Sequence, residues 1–258
     1  MSASSAQASL IASESFNYPI AGSSLNGQGS GTGFTGTWGG GANFDVVSGL
    51  TYSGVSSSGG AASGSGQTYL SLSSAISPAS GSIYFSILLN QSSANFGNIG
   101  FFNNGGAGEL WSFGDTYNGS GPSPTYALNS ASGPGKFNAA AGFNDSGVSI
   151  VPNVTQWLVA QIDYATPSAP VAYLYLNPAV GSTPLTSSAI ATMTGANAIS
   201  INQIRLEDRN FAIDEIRIGT TFADVASVPE PSTYAFITLG FVYLFGLKIF
   251  KRRSQATV

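Results

Sequence analysis

Phe211-Ala212-Ile213-Asp214-Glu215-Ile216-Arg217-Ile218 is the stretch on which the fold class turns. Side chains of an extended strand alternate between its two faces. Phe211 and Ile213 therefore share one face, and Ile216 and Ile218 fall on the other. If all four are buried the strand must absorb an odd residue, so a β-bulge is expected at Asp214-Glu215. Outward from this stretch, strand signals recur at residues 43–54, 68–73, 82–89, 97–102, 110–113, 155–164, 171–177 and 199–206. Residues 82–89 read as a buried run, and in 68–73 Tyr69 opposes Leu70 and Leu72. Asn103-Asn104-Gly105-Gly106 reads as a turn. The glycine-dense residues 25–38 and 56–66 read as loops, the first plugging Phe34 and Trp38 into a core. Short strands, frequent turn signals and almost no helical periodicity argue an all-β, antiparallel two-sheet sandwich.

Composition agrees with a packed core. The 258 residues are 43% hydrophobic and 12% aromatic but only 8% charged, with 33 glycines. A disordered chain would be rich in charge and poor in aromatics. The chain has no cysteine and no histidine. That removes thiolate zinc sites, cysteine nucleophiles and the Ser-His-Asp arrangement. Apart from the last turn of the chain, the basic residues are Lys136, Arg205, Arg209 and Arg217, against all twelve acidic residues. Phosphate neutralisation needs a basic patch, so no nucleic-acid partner is expected.

The C-terminal stretch has three parts: Val228-Pro229-Glu230-Pro231, an apolar run at 234–250, and a basic stop of Lys248, Lys251, Arg252 and Arg253. The prolines fix φ and remove two donors, so the hinge stays extended. The apolar run spans roughly 25 Å as a helix at ~1.5 Å per residue, which suits a single short transmembrane crossing. The basic cluster holds its own side in the cytoplasm and leaves the preceding domain on the other. Ala6-Gln7-Ala8 has the form of a signal-peptide cleavage site. The expected divisions are a remnant at 1–13, a sandwich at 14–226, a hinge at 227–233, a transmembrane helix at 234–250 and a basic tail at 251–258.

Hinge, helix and basic cluster together resemble the PEP-CTERM sorting signal. The resemblance implies export, the inner membrane as a way station, and recognition by an exosortase-type transpeptidase. Val228, Pro229, Glu230 and Pro231 would then be residues acted upon, and the mature protein a cell-surface or extracellular one.

A second resemblance covers most of 14–224. Glu14-Ser15-Phe16-Asn17-Tyr18-Pro19, the approach to Trp38, Trp157-Leu158-Val159-Ala160-Gln161-Ile162-Asp163, Leu174-Tyr175-Leu176-Asn177-Pro178 and Ile213-Asp214-Glu215-Ile216-Arg217-Ile218-Gly219 are similar to laminin-G-like, concanavalin-A-like domains. This implies a two-sheet jelly roll and, in some relatives, carbohydrate or calcium binding.

The chemistry expected of the residues themselves is modest. A glycosidase needs two carboxyls at set separations. Glu207-Asp208 and Asp214-Glu215 are adjacent pairs whose members point to opposite faces of a strand. No catalytic residue, resident cofactor or metal site is expected. Calcium with Asp and carbonyl ligands stays open, but no Asp-rich loop marks a site. Trp111, Asp115 and Tyr117 could offer an aromatic platform with polar neighbours, the usual form of a sugar site. The expected role is a structural or adhesive surface or matrix protein, not an enzyme. The alternative is a lectin-like binder with an exopolysaccharide as partner.

Overall fold

The computed structural model describes residues 9–226 apart from 20–21, 30, 78–79, 94–95, 105–107, 117–123, 131–141, 165–168 and 196–199, and gives no side chain for 208 or 210. Thirteen strands form among the described residues, every pairing antiparallel. They close into a sandwich that is nearly a barrel.

The longest strand stitches the molecule together. β13 (Ile201–Gly219) changes partners along its length. Its first half lies between β4 (Gly60–Ile76) and β6 (Gly97–Asn103). Its second half lies beside β5 (Gly81–Gln91), and β1 (Leu10–Glu14) pairs with its end. One sheet continues from β6 to β7 (Gly108–Asp115), β8 (Thr125–Ser130) and β9 (Gly142–Ser149). In this sheet β4 also carries β2 (Phe34–Gly39) and β3 (Asn43–Ser48). The other sheet continues from β5 to β10 (Gln156–Tyr164), β11 (Val171–Leu176) and β12 (Ala191–Thr194).

The expected bulge is present. Asp214 pairs with Leu88 and Arg217 with Ser86, so Glu215 and Ile216 together oppose one residue of β5. Glu215 takes the strain, with φ of 48°. Phe211, Ile213, Ile216 and Ile218 all join the inner core. There they meet Ile83, Phe85, Ile87 and Leu89 from one sheet and Leu70, Leu72, Ile99, Phe101, Ile204 and Leu206 from the other.

The outer face of the second sheet is covered as well. Tyr84, Leu88, Trp157, Val159 and Tyr175 form a second apolar cluster beneath Val55, Phe222 and Val225. Phe222–Val225 is a single helical turn, α1, closed by a capping box between Thr221 and Asp224. Burial on both faces explains why residues 82–89 read as a continuous apolar run.

Several expectations are corrected. The strands expected at 199–206 and 211–218 are one strand, Ile201–Gly219, because Glu207 and Arg209 continue the ladder to Gln67 and Ser65. The first strand among the described residues begins at Leu10. The glycine-rich 60–66 is strand, not loop. A Cβ at Gly64 would stand 2.0 Å from the Asn43 carbonyl oxygen, so only glycine lets β3 lie this close. Residues 34–39 form β2, although Phe34 and Trp38 are buried as expected. Strands β8, β9 and β12 were not anticipated. Among the described residues no helix is long and apolar enough to cross a membrane. The hinge, the apolar run and the basic stop at 228–258 lie outside the described residues, as does Ala6-Gln7-Ala8.

Candidate functional site

The outer face of the first sheet is polar, and it holds a cleft of about 790 Å³. Strand parity builds it. In β13, Ile204 and Leu206 face the core, so Gln203, Arg205, Glu207 and Arg209 face outward. In β4, Leu70 and Leu72 point inward, leaving Gln67, Tyr69 and Ser71 outside. In β6, Ile99 and Phe101 point inward, leaving Asn98, Gly100 and Phe102.

Register then sets these residues in rows across the sheet. One row runs Tyr69, Arg205, Gly100, Ser112, Asn129. The next runs Gln67, Glu207, Asn98, Gly114. Gly100 is the low point that lets Arg205 lie across it. A Cβ there would stand 3.4 Å from Arg205 Nη2 and 3.2 Å from the Phe102 ring.

Arg205 is the centre of the site. Its guanidinium donates to both carboxylate oxygens of Glu109, at 3.2 and 3.1 Å. It is also ion-paired with Glu207. Its carbon centre sits 4.9 Å from the Phe102 ring centroid, in cation–π range. Glu207 accepts from Gln67 Nε2 at 2.6 Å, and Gln67 Oε1 accepts from the Tyr69 hydroxyl at 2.7 Å. This chain of contacts fixes every rotamer along one wall.

Two polar atoms of the cleft are left over. Asn98 Oδ1 and Arg205 Nε are buried and have no hydrogen-bond partner. Both residues line the cleft, and both side chains are more than nine-tenths buried. Buried polar atoms are almost always paired, so two orphans in one cleft stand out. Arg209 stands exposed at the end of the same strand face.

A second, shallower depression adjoins the cleft on this face. Tyr69, Phe102 and Gln203 line it with glycines 39, 40 and 108. The Tyr69 and Phe102 rings meet edge to face with centroids 5.7 Å apart.

The residues singled out from sequence lie elsewhere. Trp111 is wholly buried, stacked on Phe101 at 4.4 Å and packed on Phe85 at 5.2 Å. Asp115 is also wholly buried and accepts from Gln91 Nε2 and the Phe96 N–H, both at 2.9 Å. Neither presents a face to a ligand, because the alternation of β7 turns Trp111 inward and the Asp115 carboxylate serves the backbone. Tyr117 and the tail residues Val228, Pro229, Glu230, Pro231, Lys248, Lys251, Arg252 and Arg253 lie outside the described residues. The signal that marks the cleft is the alternation Arg205-x-Glu207-x-Arg209 in a chain this poor in charge. Among the described residues no group of three acidic side chains is arranged to hold a metal.

A second set of buried carboxylates serves the fold. Asp214 Oδ2 accepts from the Leu50 N–H at 2.8 Å, and Oδ1 from the Glu215 N–H at 2.7 Å. Glu215 accepts from the Ser58 N–H at 2.7 Å and pairs with Arg217 at 3.2 Å. The two neighbours thus hold both ends of the 50–58 loop over Trp157. Burial outweighs the two backbone donors and pushes the Asp214 carboxyl up to about 8, with the nearby Glu215 and Glu14 charges adding to the rise. Burial also raises Glu215.

No protein-family model matches the chain, and no curated protein matches it. Solved structures do resemble it. Domain 4 of AbnA, an extracellular arabinanase of Geobacillus stearothermophilus solved with arabinotriose, is 17% identical, with a TM-score of 0.48 over 85% of this chain and 97% of that one. The Emp47p carbohydrate recognition domain is 11% identical, with a TM-score of 0.43 over 84% and 99%. An endo-β-1,4-glucuronan lyase of Trichoderma reesei is 12% identical, with a TM-score of 0.41 over 72% and 90%. At these values the likenesses say nothing of what this chain binds.

Proposed function

We propose that the chain is a lectin-like carbohydrate-binding protein of the concanavalin-A-like jelly-roll type, and that the polar cleft on β4, β6, β7, β8 and β13 is its glycan site. The observation that carries this reading is the pair of buried, unpartnered polar atoms, Asn98 Oδ1 and Arg205 Nε, in a cleft lined by fixed side chains. Sugar hydroxyls are both donors and acceptors and satisfy such groups. The cleft is pre-organised, so little side-chain entropy is lost on binding. In this reading the protein acts by binding: Glu109 and Glu207 are both committed to Arg205, and among the described residues lining the cleft there is no other carboxyl. The test is a glycan array probed with the purified full chain. Binding that is lost in Asn98→Ala, with an unchanged circular dichroism spectrum, supports the site. Equal binding by the variant removes it.

We further propose that this binder reaches the cell surface through its C-terminal signal and there contributes an adhesive role in an exopolysaccharide matrix. Support comes from the sequence of the tail, with its Pro-Glu-Pro hinge, apolar run and basic stop. The mass of the protein recovered from the native surface tests it. A mass ending near Val228 to Ser232 supports processing, and an intact C-terminus at Val258 contradicts it.

A further inference from the structure

We infer that the site takes an internal stretch of a linear, uncharged glycan, seated across two contiguous subsites instead of on a chain end. The inference rests on the glycan reading above and adds the shape and charge of the ligand.

The shape follows from the two depressions. The deep cleft reaches Arg209 and Ser65 at one end of the β13–β4 ladder, and the shallow one reaches Gln203 and Ser71 further along the same ladder. From Gln203 to Arg209 is six residues of strand, about 20 Å at ~3.3 Å per residue. That exceeds the length of one or two sugar rings. Between the depressions lie Tyr69, Arg205 and Phe102, the first and last lining the shallow one and Arg205 the deep one. The ring of Phe102 is held by Arg205 on one side and Tyr69 on another. A rigid aromatic in a polar surface is a stacking platform for the apolar face of a sugar ring, whereas a mobile one would lose entropy on binding. Orphaned polar atoms in the deep part and an aromatic ledge in the shallow part are complementary devices. One reads hydroxyls and the other reads ring faces.

The charge follows from the ion pairs. Arg205 is the only buried cation of the cleft among the described residues, and it is already matched by Glu109 and Glu207. Its charge is spent within the protein, while its buried Nε has no hydrogen-bond partner. An acidic polymer would approach two carboxylates and gain only the exposed Arg209, whose attraction is screened over about 8 Å at physiological salt. A neutral polymer meets no such opposition.

The experiment is titration calorimetry of the full chain with matched pairs of linear oligosaccharides, two and six residues long, from neutral β-glucan, xylan and mannan and from acidic polygalacturonate. The expected result is a neutral hexamer that binds at least tenfold tighter than its dimer, with affinity unchanged between 50 and 500 mM NaCl. Phe102→Ala and, as a milder check on folding, Gln203→Ala should each abolish the length advantage. Asn98→Ala should weaken both lengths. A dimer that binds as tightly as the hexamer overturns the two subsites while the glycan reading stands. Tighter binding of polygalacturonate, falling with salt, overturns the neutral ligand. Binding of none of these probes overturns both the inference and the glycan reading.

Discussion

At the scale of the residue, this chain uses its few charges as fasteners. Asp214 and Glu215 hold the two ends of the 50–58 loop through backbone donors. Glu14 does the same for another turn, accepting from the Phe16 N–H, the Gly31 N–H and the Tyr18 hydroxyl at 2.8, 2.9 and 2.7 Å. Such anchors have a cost that depends on pH. Burial raises the folded pKa of Asp214 to about 8 and that of Glu215 in the same direction. Between the unfolded value of an Asp, ~3.9, and about 8 the folded chain therefore binds more protons than the unfolded one. Stability falls as pH rises through that window and levels off above it. Urea melts at pH 5 and pH 8.5 should show the chain more stable in acid, and Asp214→Asn should shrink the difference. A melt that strengthens steadily from pH 5 to 8.5 would contradict the assignment.

Arg205 is the other fastener. Its side chain is 8% exposed, and those of Glu109 and Glu207 are 32% and 19% exposed. Removing the cation leaves two carboxylates facing each other in partial burial. Arg205→Met should cost about 2 kcal/mol or more by chemical denaturation. A neutral outcome would mean that the pairs are surface contacts of little weight. Arg205 falls inside a stretch that reads as strand, but that strand signal ends at 206, so its alternation with Glu207 and Arg209 on one face goes unseen until the register joins them.

At the scale of the element, the bulge in β13 is the feature most legible in the sequence. Four isoleucine and phenylalanine positions that break parity cannot all be buried on a regular strand. The structure adds what the bulge achieves. Without Glu215, Ile216 would oppose Ile87 directly and regular pairing would resume, so the core does not need the extra residue. The loop does, because Glu215 holds Ser58. Deleting Glu215 should leave the sheet intact by circular dichroism while the 50–58 loop becomes sensitive to limited proteolysis. Other elements were hard to read for a physical reason. Glycines at 60–66 look like loop, and only the approach of the Asn43 carbonyl to Gly64 shows why a strand needs them. The aromatics of β7 suggested a platform, yet Phe101, Trp111 and Phe113 stack within the core at centroid distances of 4.4 to 5.9 Å. Period-2 aromatics state that one face differs from the other, not which of them is wet.

At the scale of the whole molecule, the two sheets are treated unequally. Both outer faces adjoin the same inner core. One is sealed by Val55, Phe222 and Val225 over Trp157 and Tyr175, while the other is left open and polar, with a cleft crossing five strands. That asymmetry was not visible in the sequence, because it depends on which strands become neighbours: β4, β6 and β13 are joined only through long-range pairing. All-β topology of this kind is settled by contacts far apart in the chain. Two buried polar atoms are left unpaired on the open side, and the proposed glycan site rests on them. The most direct test is a crystal structure of the chain with a linear oligosaccharide bound. The account predicts the sugar in the deep cleft, with a hydroxyl within hydrogen-bond distance of Asn98 Oδ1 and another of Arg205 Nε. A sugar bound at the loops joining the strands, with the cleft holding only water, would contradict it.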